Sequence, residues 1–138
     1  MPKILIVDDE PAILELLKLN MEMAGHEVYL AGDGETALAR VSAVRPAVVL
    51  LDVMMPAIDG WGVLEGIRKD PKAKGTKVII MSAKVGSRDL SKGFDLGADD
   101  YLTKPFDVND VIERVEAVIS WTSEDVAARR RELLGGES

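Results

Sequence analysis

Short runs of apolar residues alternate along the chain with longer stretches of helical periodicity. The short runs predict five strands, at residues 4–7, 28–30, 47–51, 78–81 and 101–102. The first, third and fourth runs are almost wholly apolar, which is typical of parallel strands that are covered on both faces.

Between these runs, apolar positions recur every three or four residues, which predicts helices. The first helix begins at Pro11 and ends near Gly25, and the acidic residues before it are expected to cap it. The clearest helix covers residues 108–119, with Asp107 or Asn109 near its start. Three further helices are predicted over about residues 35–44, 60–70 and 88–96.

Five repeats of strand then helix require a parallel sheet with helices on both faces and right-handed crossovers. The 138 residues fit one such domain. Residues 1–119 form the predicted domain, and residues 120–138 are a C-terminal extension, either an extra helix or a linker. The extension holds three arginines, but Glu132 and the acidic body of the chain favour a solvated face.

Composition and charge exclude several classes of protein. The absence of cysteine excludes disulfides and thiolate metal sites. The first apolar run ends at once in acidic residues, which is too short and too acidic for a signal peptide or a membrane span. The net charge of −7 argues against binding of nucleic acid or anionic membranes. We therefore expect protein or cation partners, no nucleic-acid or membrane partner, and a cytoplasmic location.

Polar residues follow four of the predicted strands at the point where each strand ends. Asp8 and Asp9 follow the first strand, Asp52 the third, Ser82 the fourth and Lys104 the fifth. Each residue alone has an ordinary interpretation, such as a helix cap or a solvated side chain. Ligands of open parallel sheets bind beyond the carboxyl ends of the strands. We therefore expect these five side chains to converge on one site.

A cluster of carboxylates needs a cation, because two carboxylates about 4 Å apart repel by about 4 kcal/mol at an effective dielectric near 20. Hard oxygen donors without cysteine or histidine indicate Mg²⁺. One carboxylate would remain free as a nucleophile, while the lysine and the serine would stabilise the equatorial oxygens of a phosphoryl group. The site would suit phosphoryl transfer to an aspartate.

Three stretches of the sequence resemble the receiver domains of two-component response regulators. They are VDDEP at residues 7–11, LDVMMP at residues 51–56 with Asp59-Gly60, and GADDYLTKPF at residues 97–106. The resemblance extends from residue 3 to about residue 119, with the order and spacing intact. It implies a regulatory domain that is not an enzyme. It also implies a flavodoxin-like (βα)5 three-layer sandwich with five parallel strands in the order 2-1-3-4-5.

The resemblance also implies the chemistry of the acidic residues. Asp52 would accept a phosphoryl group from a histidine kinase or a phosphotransfer protein. Asp8, Asp9, Asp52 and the backbone carbonyl of Met54 would hold Mg²⁺. A bulky Met54 could also hinder the water that hydrolyses the phosphoryl group, and so set the lifetime of the signal.

The same resemblance implies a switch. Lys104 and Ser82 would bind the phosphoryl group, and the peptide bond before Pro105 would be cis. Tyr101 would turn inward as Ser82 moves, and Lys84 occupies a second position that affects signal lifetime. The resulting population shift would change protein contacts at the fourth helix, fifth strand and fifth helix, where phosphorylation could also produce a homodimer.

Three alternatives are weaker. Residues 32–37 fit the dinucleotide fingerprint G-x-G-x-x-A, but they follow the second strand, and the nearby acids would repel a pyrophosphate. A haloacid-dehalogenase-type phosphatase would carry a second acid two residues after its nucleophile, where this chain has Met54. A degenerate receiver that acts without phosphorylation would lack one of the five site residues, and all five are present here.

Four residues outside these motifs have less specific interpretations. The single histidine, His26, follows Gly25 in a turn and is expected on the surface. Trp61 is expected to pack near the start of the third helix. Phe94 and Phe106 are either core residues or part of a partner surface.

Overall fold

A computed structural model describes residues 1–54, 59–84 and 86–135 of the chain. Met55 and Pro56 of the second motif lie outside the described residues. The strands are β1 (Lys3–Val7), β2 (Glu27–Ala31), β3 (Val48–Asp52), β4 (Lys77–Ser82) and β5 (Asp100–Thr103). The helices are α1 (Pro11–Met23), α2 (Gly34–Val44), α3 (Gly60–Lys69), α4 (Ser87–Asp95), α5 (Val108–Val118) and α6 (Ser123–Leu133), with a 3-10 turn at Pro71–Ala73.

The five strands form one parallel sheet in the order β2-β1-β3-β4-β5. This confirms the predicted fold class and strand order. Alternate side chains of the central strands pack into two cores, because successive residues of a strand point to opposite faces. Leu5 and Val49 pack with α2, α3 and α4, whereas Ile4 and Val48 pack with α1 and α5.

Helix ends follow the predicted signals with one exception. Asp107 caps α5, since its side chain accepts a hydrogen bond from the Asn109 N–H at 2.8 Å. Gly25, two residues after the end of α1, has a φ of 95°, a conformation that favours glycine. The predicted acidic cap of α1 is wrong, because the Glu10 side chain makes no capping bond. Asp8 instead accepts a hydrogen bond from the Glu10 N–H at 3.0 Å.

The prediction that His26 lies on the surface is wrong. His26 is only 6% exposed, and its Nε2 lies 3.6 Å from a carboxylate oxygen of Glu116 on α5. Neither ring nitrogen has a hydrogen-bond partner among the described residues. The turn after α1 looks exposed in the sequence, but α5 packs beside α1 and covers it.

The aromatic residues divide between the core and its edge. Phe94 is buried, and Phe106 is partly buried against the other core. Trp61 packs at the start of α3 as predicted, with the Lys92 ammonium 4.8 Å from its ring centroid. None of the helices in the described part of the chain is both long enough and apolar enough to cross a membrane.

Candidate functional site

Asp8, Asp52 and Lys104 meet at the carboxyl edge of the sheet. β1 and β3 are hydrogen-bonded neighbours, so Asp8, which follows β1, and Asp52, which ends β3, lie side by side. The Lys104 Nζ lies 2.8 Å from Asp8 Oδ2 and 3.4 Å from Asp52 Oδ2. Asp8 is fully buried and Asp52 is 3% exposed. The lysine ammonium therefore neutralises part of a pair of buried carboxylates.

The Asp52 carboxylate is held from two sides. The Met54 N–H donates to its Oδ1 at 2.9 Å, and Lys104 approaches its Oδ2. Burial raises the pKa of Asp52, and the negative charge of Asp8 adds to this, while the bonds from Met54 and Lys104 oppose it. The pKa is raised overall because burial destabilises the charged carboxylate by more than the bonds from Met54 and Lys104 stabilise it.

The surroundings of Lys104 favour its charged form, whereas those of Asp52 disfavour its charged form. Burial acts to lower its pKa, but the hydrogen bond from its ammonium to Asp8 and the charges of Asp8 and Asp52 outweigh burial and raise the pKa. Lys104 is therefore charged at neutral pH. The peptide bond between Lys104 and Pro105 is cis, as the family resemblance implies.

Three carboxylates near this edge fit a divalent cation. Oxygen atoms of Asp8, Asp9 and Glu10 lie within 4.8 Å of one another. Asp9 and Glu10 are exposed, whereas Asp8 is buried beside Asp52. All the donors are hard oxygens, and the excess of negative charge over the Lys104 ammonium suits Mg²⁺. Glu10 was not among the predicted ligands, although it is the next residue in the acidic run.

Ser82 lies at the end of β4, beside the acidic cluster. It is fully buried, and its hydroxyl oxygen accepts a hydrogen bond from the Lys84 N–H at 3.0 Å. Its carbonyl accepts a bond from the Lys104 N–H at 2.8 Å. Ser82 is thus joined to Lys104 through the backbone, and the hydrogen bond of its side chain is to the loop that follows β4.

Tyr101 is 2% exposed, so its ring already points into the protein. Its hydroxyl donates to the carbonyl of Lys84 at 2.5 Å. Burial is the main cause that raises the pKa of Tyr101. Ser82 and Tyr101 therefore both bond to the backbone of Lys84, and the three residues form a continuous chain.

Local backbone geometry fixes the approach to Asp52. A side chain at Gly60 would place its Cβ 2.2 Å from the Cα of Val53, so the start of α3 requires glycine. Met54 is 52% exposed at the mouth of the site, and Lys84 is exposed at its rim.

The apparent dinucleotide fingerprint at residues 32–37 is a helix start, because Asp33 accepts a hydrogen bond from the Thr36 N–H and caps α2.

The sequence model of the family described as response regulator receiver domain matches residues 4–116. The chain belongs to this family. As a receiver domain of the two-component response regulators, it is a phosphoacceptor signalling switch, and Mg²⁺ is typical of the acidic site in the family.

Solved receiver structures agree with this assignment. The receiver domain matches the chemotaxis protein CheY4 of Vibrio cholerae with a TM-score of 0.82 and 30% identity, over 86% of this chain and 98% of that one. It also matches the response regulator TrrA of Thermotoga maritima, solved in complex with Mg²⁺ and BeF. That match has a TM-score of 0.75 and 37% identity, over 86% of this chain and 99% of that one.

Two curated relatives are longer transcriptional regulators. The receiver domain is 42% identical to the DNA-binding dual master transcriptional regulator RpaA of Synechocystis, over 97% of this chain and 56% of that protein. It is 38% identical to the alkaline phosphatase synthesis transcriptional regulatory protein PhoP of Bacillus subtilis, over 98% of this chain and 55% of that protein. The chain thus spans about half the length of these relatives.

These relatives correct one prediction. The expectation of no nucleic-acid partner is wrong for proteins of this type, because RpaA is a DNA-binding regulator. That expectation follows from the net charge of −7. That charge describes only a stretch about half as long as the relatives. It is therefore no guide to what a whole regulator binds.

One buried acidic residue was missed in the sequence. Asp100 is fully buried at the start of β5. Arg129 of α6 donates to its Oδ1 at 2.8 Å, and the Nε of Arg114 lies 3.6 Å from its Oδ2. The one signal available was the pair of acids before the fifth predicted strand, and nothing in the sequence connects them to the distant arginines.

Proposed function

We propose that Asp52 is the phosphoacceptor of this receiver domain. The observation that carries the proposal is the pairing of Asp52 with Lys104 beside Asp8. Asp52 ends a fully buried strand, and its Oδ2 faces a charged lysine. Asp8 competes for the same ammonium at a shorter distance. A cation that took over the charge of Asp8 would leave Lys104 free to bind a phosphoryl group on Asp52.

The other site residues have distinct proposed roles. Asp8, Asp9, Asp52 and the backbone carbonyl of Met54 would hold Mg²⁺, which neutralises charge on the transferring phosphoryl group. Ser82 would donate a hydrogen bond to a phosphoryl oxygen, after its hydroxyl leaves the Lys84 N–H. Oxygen donors and two buried carboxylates support this assignment.

We propose a histidine kinase or a phosphotransfer protein as the phosphodonor. The buried His26 lies on the α5 side of the sheet, away from the carboxyl edge of β3, which argues against an internal donor. The names of the two curated relatives support transcriptional control as the output. In this role the domain passes a signal in the cytoplasm and does not turn over a substrate.

The test is the intact mass of the protein after incubation with acetyl phosphate, with and without Mg²⁺. We expect one added phosphoryl group that requires Mg²⁺ and is absent in Asp52→Asn. The matched control is Asp110→Asn, which alters an exposed aspartate on α5 and should be phosphorylated normally. An adduct that persists in Asp52→Asn would refute the assignment, as would no adduct with either acetyl phosphate or a panel of histidine kinases.

A further inference from the structure

α6 lies against α4 and β5 and covers part of the surface that they form. The Arg129 Nε donates to the fully buried Asp100 at 2.8 Å, and Arg129 itself is only 10% exposed. One residue further along, Arg130 donates to Asp95 of α4 at 2.7 Å, and its guanidinium carbon lies 5.9 Å from the Phe94 ring centroid. α6 is thus held to β5 and α4 by consecutive arginines.

The apolar part of this contact is small. Val126, Leu133 and Leu134 are partly buried against the core that contains Phe94 and Tyr101. No residue of α6 itself is fully buried. α6 is 11 residues long, and isolated helices shorter than about 12–15 residues are marginal in water. Its Thr122–Asp125 capping box helps it to start. The ion pair between Arg129 and the buried Asp100 adds a specific attachment to β5.

A chain of contacts joins the phosphoacceptor site to α6. The Lys84 backbone bonds to the Ser82 hydroxyl through its N–H and to the Tyr101 hydroxyl through its carbonyl. The Tyr101 N–H in turn donates to Asp100 Oδ1 at 2.7 Å, the oxygen that also accepts from Arg129. A movement of Ser82 towards Asp52 would therefore disturb the residues that anchor α6.

We propose that α6 is a built-in, displaceable occupant of the surface formed by α4 and β5, and that phosphorylation of Asp52 weakens its attachment. The coupling rests on the proposed function of Asp52. A protein partner that uses this surface must compete with α6, so its apparent affinity equals its intrinsic affinity multiplied by the fraction of molecules in which α6 is detached. Such a partner fits best if it presents a helix with an arginine for Asp100, because detachment of α6 leaves this buried carboxylate with only the more distant Arg114, whose Nε lies 3.6 Å from its Oδ2.

The test is hydrogen exchange of the full chain, followed by mass spectrometry of peptides that cover residues 123–134. Without phosphodonor, we expect Arg129→Gln to raise exchange in α6 by at least about tenfold, since the variant removes one partner of a buried ion pair. The matched control is Arg131→Gln, which alters an exposed neighbour on the same helix and should match the native protein. Leu133→Ser should raise exchange in α6 without touching the ion pair. Unchanged exchange in the β3 peptide shows that each variant is folded.

The second arm adds acetyl phosphate and Mg²⁺, with the phosphorylated fraction read from the intact mass. We expect faster exchange in α6 of the phosphorylated native protein and no change in Asp52→Asn. A phosphoryl adduct with unchanged α6 exchange would overturn this inference while the phosphoacceptor assignment stands. No adduct with either acetyl phosphate or a panel of histidine kinases would overturn both. The inference would also be overturned if α6 exchanged at the same rate in Arg129→Gln and Arg131→Gln. It would be overturned as well if the protection of α6 disappeared on dilution, because α6 would then be bound to a second copy.

Discussion

Lys104→Met removes the ammonium group that contacts both Asp8 and Asp52. At an effective dielectric of 20, charges 2.8 Å apart attract by about 6 kcal/mol and charges 3.4 Å apart by about 5 kcal/mol. Desolvation of the three groups offsets several kcal/mol per ion, and the lysine side chain is 18% exposed, so solvent screens part of the rest. We expect a net loss of about 3 kcal/mol in the free energy of unfolding, because two carboxylates stay buried without their partner.

The assay is urea unfolding at neutral pH, without Mg²⁺, of the native protein, Lys104→Met, Asp52→Asn and the double variant. In the Asp52→Asn background, we expect Lys104→Met to cost about 1–2 kcal/mol less, because only Asp8 remains unpaired. Millimolar Mg²⁺ should restore part of the loss in Lys104→Met, since the ion replaces the missing positive charge. The matched control is Lys74→Met, which changes an exposed lysine and should alter stability by less than about 0.5 kcal/mol.

Two results would refute this reasoning. One is a Lys104→Met protein as stable as the native protein without Mg²⁺. The other is the same loss in the presence and absence of the Asp52 carboxylate. Either would mean that the buried carboxylates do not depend on Lys104 for their charge balance.

Three further changes test separate parts of the site. Because the pKa of Asp52 is raised, its carboxylate destabilises the fold above its folded pKa. Thermal unfolding should therefore show Asp52→Asn more stable than the native protein at pH 7, with a gain that shrinks as the pH falls towards about 4. Gly60→Ala should lower the free energy of unfolding, measured in urea, by more than about 3 kcal/mol, because its Cβ meets Val53. Gly62→Ala has open space around its Cβ and should raise the free energy of unfolding by about 0.5–1 kcal/mol. Equal effects of the two substitutions would contradict this packing explanation. Met54→Ala should speed loss of the phosphoryl group several-fold in a mass-spectrometric time course, and an unchanged rate would mean that Met54 does not hinder water.

The sequence predicts most of the fold because its signals are local. Residues 48–51 are buried on both faces of the sheet. A central strand of this kind is a continuous apolar run, so the sequence identifies it without help from other segments. The residues of the site were found by their positions at strand ends, which parallel topology brings to one edge. Ser82 ends β4 and Lys104 follows the neighbouring β5, which places them next to each other.

What the sequence did not predict depends on packing between distant segments. The Asp100–Arg129 ion pair joins residues 29 positions apart, and it requires α6 to return over β5. His26 is buried because α5 covers its turn, a contact that no local pattern encodes. The absence of a side-chain cap on α1 has a similar origin, since Asp8 bonds to the Glu10 N–H while its other oxygen faces Lys104.

The burial of His26 gives the protein a natural spectroscopic reporter. His26 is the single histidine of the chain, so its imidazole protons produce one set of NMR resonances without any labelling at a chosen site. It contacts α5 on the side of the sheet opposite to α4. A shift of these resonances on phosphorylation would show that the signal crosses the sheet and reaches both helical layers. Fixed resonances would show that it stays within the layer that carries α4 and α6.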